Sequence, residues 1–265
     1  MQISSTAATA GYRLAAHDAI ESTNAEALRL ARRGERGPLW ITARRQSAGR
    51  GRRGSAWVSA SGNLYATLLL ADAAPPEHAP QLSFVTALAV HDAILACAPT
   101  LRAKLKLKWP NDVLCNGKKL AGILIEGESM ARELAVAVGV GVNCRHHPEA
   151  TAYPATDLAA AGADVAAEHL FWALSDTMLQ RLAQWQRGGG FAAIRADWLA
   201  RAAGIGGELR VRLPGAEFFG RGEAVDEQGR LLLRLADGTL RAIAAGDVFP
   251  LDAELHHLPA AGRVE

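Results

Sequence analysis

The segment 133–143, ELAVAVGVGVN, constrains the fold more than any other stretch of the chain. It is almost entirely apolar and rich in valine, so it predicts a strand that is buried on both faces of a sheet. Helices are predicted at 24–33, 81–98 and 167–203 (interrupted at 188–190). Further strands are predicted at 39–46, 61–72, 102–109 and 118–126. This mixture of helices and strands predicts the α+β class.

The character of the sequence changes near Gly204. The segments ELRVRL, EFFGRGEAV, RLLLRLA and TLRAIA, between 208 and 244, read as short alternating strands separated by turn signals such as Asp237-Gly238. Roughly fifty residues of this kind predict a small β-barrel. We therefore expect a first domain over 1–204, a barrel domain over 205–254 and a tail over 255–265.

Three local signals place polar side chains on this outline. Thr23, with Glu26 three positions later, forms a capping box that predicts the start of the first long helix. The stretch 102–109, RAKLKLKW, alternates, so its three lysines are expected on one face of a strand that ends near Lys108. Asn116-Gly117 predicts a tight hairpin turn.

The composition excludes several classes of protein. Of 265 residues, 49% are hydrophobic and 21% are charged, which suits a globular protein with a buried core. The N-terminus lacks the pattern of a signal peptide, and no run approaches the roughly 18 apolar residues of a membrane-spanning helix. Three widely spaced cysteines (Cys97, Cys115 and Cys144) fit reduced thiols in a cytoplasmic protein.

Positive charge is concentrated in two segments of this chain, although the net charge is only +2. Residues 37–71 contain five arginines and no acidic residue. Residues 101–125 contain six cations and one acid, Asp112. Two cationic segments in a nearly neutral chain predict a focused anion site rather than a broad surface for nucleic acid.

The first cationic segment contains GRGRRG at 49–54, which formally satisfies the dinucleotide pattern G-x-G-x-x-G. A dinucleotide site requires a helix directly after the glycines, whereas the residues after Gly54 have β character, so that interpretation fails. The sequence also lacks a P-loop and a nucleophile elbow. Alternate glycines let main-chain N–H groups approach an anion, and the arginines add donors suited to carboxylate or phosphate. A solvated basic hairpin remains the alternative.

The second cationic segment includes KWPND at 108–112. Lys108 ends the strand, and Asn111 and Asp112 follow the Trp-Pro turn with amide and carboxylate groups. The hairpin then brings Lys119 back beside them. Each also has a simpler explanation, since Lys119 could be a solvated cation at a strand end and Asp112 a turn residue after proline.

Together these motifs resemble those of bacterial biotin protein ligases. The matching segments are ESTN (21–24), QSAGRGRRGSAW (46–57), SGNLYAT (61–67), KWPNDVL (108–114), GKKLAGILIE (117–126) and GVGVN (139–143). The resemblance covers nearly the whole chain and implies a mixed-sheet, biotin/lipoate-ligase-like catalytic domain with a C-terminal SH3-like barrel. Because 21 residues precede Ser22, too few for the winged helix of the repressor-type members, we expect a ligase that does not bind DNA.

The resemblance also implies the reaction. Biotin and ATP give biotinyl-5'-AMP and pyrophosphate, and the biotinyl group is then transferred to a lysine of the biotin carboxyl carrier protein of acetyl-CoA carboxylase. Lys119, Arg50 and Arg52, together with Mg²⁺, are expected to supply the positive charge, and no enzyme nucleophile is required. Asp112 is expected either to orient the metal or to accept the proton of the acceptor lysine, and no residue is assigned as a direct metal ligand.

Binding residues follow from the same resemblance. Biotin is expected to contact Ser22, Thr23, Asn24, Gln46, Gly49, Arg50, Gly51, Arg52 and Lys119. ATP or the adenylate is expected to contact Arg50, Arg52, Trp57, Asn111, Lys119 and Asn143. Ser55 departs from the family pattern, since many members carry arginine there, which puts in question how tightly the loop holds the intermediate.

Two alternative functions stay open at this point. A lipoate or octanoate ligase or transferase would share the fold, although its arginine-glycine loop differs. A nucleic-acid-binding module would use the arginines differently and would bind less tightly as salt rises. No membrane partner is expected, and a homodimer through a sheet edge at GVGVN is a further possibility.

Overall fold

The computed structural model describes residues 1–130, 133–149, 151 and 153–251. Seven of its strands are β1 (Arg13–Ile20), β2 (Leu39–Gln46), β3 (Leu64–Ala71), β4 (Leu105–Lys108), β5 (Asp112–Cys115), β6 (Lys118–Ser129) and β7 (Leu134–Val142). They form one mixed sheet in the spatial order β1-β2-β3-β7-β6-β5-β4. Only β1 and β2 run parallel within this sheet, and the other neighbours are antiparallel.

Helices cover both faces of the sheet. They are α1 (Ser5–Thr9), α2 (Thr23–Arg32), α3 (Leu82–Cys97), α4 (Ala167–Trp185) and α5 (Phe191–Leu199). Leu39 and Ile41 of β2 pack with α2, whereas Trp40 between them faces the larger core with α3 and α4. The period of two along each strand therefore divides the apolar side chains between two cores. β7 is buried on both faces, as its sequence predicts.

The apolar composition of α3 is explained by burial. By length and composition the helical stretch Pro76–Cys97 could cross a membrane, but most of it lies inside the fold. Val85 and Leu88 are fully buried, and the helix packs against α4 and the sheet. It is a central helix of the core.

The C-terminal strands form a second, five-stranded antiparallel sheet, as expected for the barrel. They are β8 (Glu208–Leu213), β9 (Ala216–Val225), β10 (Leu231–Arg234), β11 (Leu240–Ile243) and β12 (Asp247–Pro250), in the order β11-β10-β9-β8-β12. The exact domain boundary at 204 stays a prediction, and residues 252–265, with the expected tail, lie outside the described residues.

The barrel is attached beside the end of β4. The Leu107 N–H donates to the Arg201 carbonyl at 2.9 Å, and the Ala203 N–H donates to the Leu107 carbonyl at 2.7 Å, so the connecting segment pairs with the outer edge of β4. The Trp109 indole N–H donates to the Gly229 carbonyl at 3.0 Å. These bonds hold the barrel next to the KWPND turn.

Some local predictions were wrong. The N-cap of α2 is Ser22, whose backbone is extended and whose hydroxyl accepts from the Ala25 N–H. Thr23 is the first helical residue, and its side chain lies against Gln46 instead of capping the helix. Glu26 pairs with Arg29 at 2.5 Å instead of reaching back to a cap.

The sequence also misplaced or missed parts of the sheet. β4 is shorter than predicted, beginning at Leu105. β1 was not predicted at all. β7 lies between β3 and β6, so the GVGVN segment cannot form a dimer through a free sheet edge.

Candidate active site

A cavity of about 680 Å³ lies between the two sheets and is bordered by both cationic segments. Its volume is in the range of small-molecule sites. Of the predicted site residues, the cavity is lined by Ser22, Thr23, Asn24, Gln46, Arg50, Gly51, Arg52, Trp57, Asn111, Asp112, Lys119 and Asn143. Arg52 and Lys119, from distant parts of the chain, therefore converge on one cavity.

Gly49 is the predicted site residue that does not line the cavity. Its carbonyl accepts from the Trp57 N–H at 2.9 Å. A Cβ at this position would lie 2.5 Å from the Ser59 hydroxyl and 2.6 Å from the Trp57 carbonyl. Glycine is thus required at position 49 by close packing at the base of the loop.

The arginine-glycine loop closes on itself through main-chain and serine bonds. The Gly51 N–H donates to the Ser55 carbonyl at 2.7 Å, and the Ser55 hydroxyl donates to the Arg52 carbonyl at 2.9 Å. Arg53 has a positive φ of 53° in this turn. Ser55, which departs from the family pattern, therefore stabilises the turn without adding a cation.

Arg52 connects the loop to the rest of the site. Its guanidinium donates to the Asn111 side-chain oxygen at 3.1 Å and to the Gly246 carbonyl of the barrel at 3.0 Å. Burial lowers the pKa of Arg52, while Asp247 acts in the opposite direction. An arginine stays charged throughout the physiological pH range. Arg52 is therefore a half-buried cation whose guanidinium contacts both Asn111 and the barrel.

Asp112 lies between two lysines at the base of the cavity. Lys108 Nζ is 2.9 Å from Oδ2 and Lys119 Nζ is 2.7 Å from Oδ1. Burial alone would raise the pKa of Asp112, but the charges and hydrogen bonds of the two lysines outweigh it and lower the pKa to about 2. Asp112 is therefore ionised at neutral pH, and its ion pair with Lys119 fixes the position of the Lys119 ammonium group.

Trp57 lies on a glycine surface inside the cavity. A Cβ on Gly141 would be 2.6 Å from the indole, and one on Gly122 would be 2.9 Å from it. Lys119 Nζ is 5.4 Å from the indole ring centroid. Gly122 and Gly141, paired across β6 and β7, thus form a flat surface against which the Trp57 indole packs directly.

Substituting Gly141 by alanine tests this surface. We expect kcat/KM for biotin to fall at least about tenfold, or roughly 1.4 kcal/mol, because the new methyl group displaces Trp57. Steady-state kinetics measure the loss, and Gly127→Ala, farther along β6, is the matched control. Unchanged kinetics of the Gly141 variant would show that this surface does not contribute.

The two predicted adenine-contacting asparagines are held by main-chain carbonyls. The Asn111 side-chain NH₂ donates to the Ile123 carbonyl at 2.6 Å, and that of Asn143 donates to the Thr156 carbonyl at 3.0 Å. The Asn111 side-chain oxygen already accepts from Arg52. Asn111 therefore positions Arg52 in this structure, and adenine contacts by either residue stay predictions.

Sequence reasoning missed several residues that line the cavity. Lys108 was placed only at the end of a lysine face, yet its side chain is buried, and its Nζ lies 4.3 Å from the Tyr153 ring centroid and 3.3 Å from the Val248 carbonyl. Gly246, directly before β12, and Asp247, the first residue of β12, also line the cavity. The contribution of the barrel had no signal in the sequence, because it depends on how the two sheets pack.

Comparisons with known proteins match both parts of the chain. A family model described as "Biotin/lipoate A/B protein ligase family" matches residues 17–143, and one described as "Biotin protein ligase C terminal domain" matches residues 204–249. The chain is 45% identical over 240 residues to the biotin–[acetyl-CoA-carboxylase] ligase of Paracoccus denitrificans, covering 86% of this chain and 97% of that protein.

Two further relatives agree with these matches. The bifunctional ligase/repressor BirA of Bacillus subtilis is 32% identical over 245 residues, covering 90% of this chain and 74% of that protein. The structure of the biotin protein ligase from Aquifex aeolicus in complex with biotin and ATP superposes with a TM-score of 0.74 at 26% identity, covering 89% of this chain and 97% of that one.

Proposed function

Because this chain belongs to the biotin protein ligase family, we propose that it activates biotin with ATP to biotinyl-5'-AMP and transfers the biotinyl group to a lysine of biotin carboxyl carrier protein. The family and the fold expected from the sequence motifs are thereby confirmed. The observation that carries the proposal is the convergence of the arginine-glycine loop and Lys119 on one cavity.

The first step needs charge and position more than acid–base chemistry. The carboxylate of biotin is ionised at neutral pH and attacks the α-phosphorus of ATP, and pyrophosphate leaves with the bonding electrons. Lys119, Arg50 and Arg52 reduce the repulsion between the two anions and stabilise the charge that develops on the phosphate. No side-chain nucleophile is required, and none of the three cysteines lines the cavity.

Polar groups at one end of the cavity suit the ureido head of biotin, which has both donors and acceptors. Ser22, Thr23, Asn24 and Gln46 gather there. The Gln46 side-chain oxygen accepts from the Thr23 N–H at 2.8 Å, so this cluster is already ordered by its own bonds. We propose that Trp57, supported from behind by the facing glycines, packs against the flat groups of the intermediate.

In the second step the acceptor lysine attacks the acyl carbon of the mixed anhydride. AMP leaves with the bonding electrons, and the amine loses one proton. A carboxylate with a pKa of about 2 is a weak base, so Asp112 is poorly suited to accept that proton. We propose instead that Asp112 positions Lys119.

Mg²⁺ is proposed to enter with ATP as part of the substrate. The described residues contain no cluster of three or more His, Cys, Asp or Glu side chains. Asp112 has an ammonium group beside each of its oxygens, so it does not fit a resident metal ligand in this arrangement. The phosphate oxygens of ATP are suitable ligands for this ion.

The biological setting follows as part of the same proposal. The partner is the biotin carboxyl carrier protein of acetyl-CoA carboxylase, and we expect the enzyme in the cytoplasm, where its nucleotide substrate and reduced thiols are found. A homodimer, if formed, must use a surface other than β7.

Biotin-dependent exchange of pyrophosphate into ATP tests the function directly. We expect exchange with biotin at least about a hundredfold faster than with lipoate or octanoate, because a site with polar groups for the ureido ring leaves them unpaired when a purely acyl substrate binds. Faster exchange with lipoate or octanoate would instead favour the alternative ligase of the same fold.

A further inference from the structure

A continuous chain of hydrogen bonds runs along one side of the cavity, through several of the residues that line it, and begins and ends near the arginine-glycine loop. Its members, in order, are Ser59, Gln46, Thr23, Thr67, Asn24, Glu126 and Arg50, with the Thr23 N–H supplying the bond to Gln46. At one end the Ser59 hydroxyl donates to the Trp57 carbonyl at 2.9 Å. At the other, Arg50 Nη2 lies 3.4 Å from Glu126 Oε1.

The middle of this chain is buried and tightly bonded. The Thr67 hydroxyl is 2.8 Å from the Thr23 hydroxyl and 2.6 Å from the Asn24 side-chain oxygen. The Asn24 NH₂ then donates to Glu126 Oε2 at 2.8 Å. Thr67 is fully buried on β3, and buried polar groups are costly to leave without partners.

Asn24 fits into this chain only because of a glycine on β7. A Cβ on Gly139 would lie 2.3 Å from the Asn24 side-chain oxygen. Gly139 pairs with Thr67 on one side and with Leu124 on the other, so the strands bring Thr67 and Glu126 to the two sides of Asn24. The geometry is thus built by three neighbouring strands.

From this arrangement we propose that Glu126 and Thr67 are positioning residues, through which the polar cluster at Ser22–Asn24 controls the arginine-glycine loop. Glu126 accepts from Asn24 with one oxygen and faces Arg50 with both, so one carboxylate connects the cluster to the loop. Thr67 fixes the positions of the Thr23 and Asn24 side chains through its hydroxyl. The proposal rests on the proposed function for its link to biotin.

Limited proteolysis tests the loop tether without any ligand. Trypsin cleaves after Arg50, Arg52 or Arg53 when the loop opens. In Glu126→Gln the carbonyl oxygen can still accept from Asn24, but the charge facing Arg50 is lost. We expect cleavage at the loop to be about threefold faster, as for loss of a partly exposed ion pair that limits local opening. Glu128→Gln is the matched control. Glu128 lies on the same strand as Glu126, and its substitution removes the charge that pairs with Arg32 of α2 at 2.6 Å.

Kinetics then separate the two residues. We expect Glu126→Gln to keep KM for biotin within about twofold of wild type while releasing more biotinyl-5'-AMP, and Thr67→Val to raise KM for biotin about fivefold or more, since valine keeps the shape but removes the hydroxyl. Glu126→Ala should show both effects. Equal proteolysis and equal release of the intermediate by Glu126→Gln and Glu128→Gln would overturn the proposal.

The same assays distinguish failure of this inference from failure of the proposed function. If wild-type protein shows no biotin-dependent exchange, the function is wrong, while the proteolysis comparison still decides whether Glu126 restrains the loop. If wild type exchanges normally and the Glu126 and Thr67 variants match it in every measurement, only the positioning role is wrong.

Discussion

Replacing Lys119 by methionine is expected to slow formation of biotinyl-5'-AMP by about 10²–10³-fold, or roughly 3–4 kcal/mol. Methionine keeps much of the side-chain volume but removes the ammonium group. In the structure this group lies 2.7 Å from Asp112 Oδ1, which holds it in place beside the cavity. Without that charge, biotin carboxylate and the α-phosphate must approach with one cation fewer. The measurement is a rapid-quench assay of adenylate formation with saturating biotin and ATP.

The control for this prediction is the neighbouring residue. Lys118 precedes Lys119 on β6 but is exposed and lies outside the cavity, so Lys118→Met should stay close to wild type. The fold should survive in the Lys119 variant, because Asp112 retains Lys108 as a partner. Adenylation within about tenfold of wild type would contradict a central role for Lys119.

The sequence predicted the parts of the fold that depend on local pattern. β7 was recognised because its valines and alanines face two cores, and the break between α4 and α5 because three glycines interrupt the helical pattern. The hairpin at Asn116-Gly117 also forms, with both residues at positive φ. Each of these features is determined by residues close to it in the sequence, so a single sequence is enough to predict it.

Features that depend on tertiary contacts were harder to predict. The alternation placed Lys108 only at the end of the lysine face of a strand, whereas the structure buries it against the Val248 carbonyl of the barrel and beside Asp112. Thr23 was predicted to cap the helix, whereas its hydroxyl lies 2.8 Å from the Thr67 hydroxyl and 3.1 Å from the Gln46 side-chain oxygen. In each case a partner more than twenty residues away decides what the side chain does, and periodicity contains no information about such partners.

Removing the side chain of Arg52 is expected to release the reactive intermediate. Arg52 binds the Asn111 side chain beside the first sheet and the Gly246 carbonyl of the barrel, so it ties the loop to two residues that line the cavity. Loss of two charge-assisted hydrogen bonds should shift the loop toward open states by at least about tenfold. Biotinyl-5'-AMP would then escape and acylate lysines of unrelated proteins.

Labelling of added albumin measures this escape, with Arg52→Gly and Arg52→Ala compared so that added backbone freedom is separated from loss of the guanidinium. Arg44→Ala, exposed on β2, is the control and should label albumin no more than wild type. If both Arg52 variants label albumin equally and above wild type, the bridge between the domains is what retains the intermediate. If neither exceeds wild type, the loop does not close the cavity through Arg52, and retention must depend on contacts of the intermediate itself with Trp57 and Lys119.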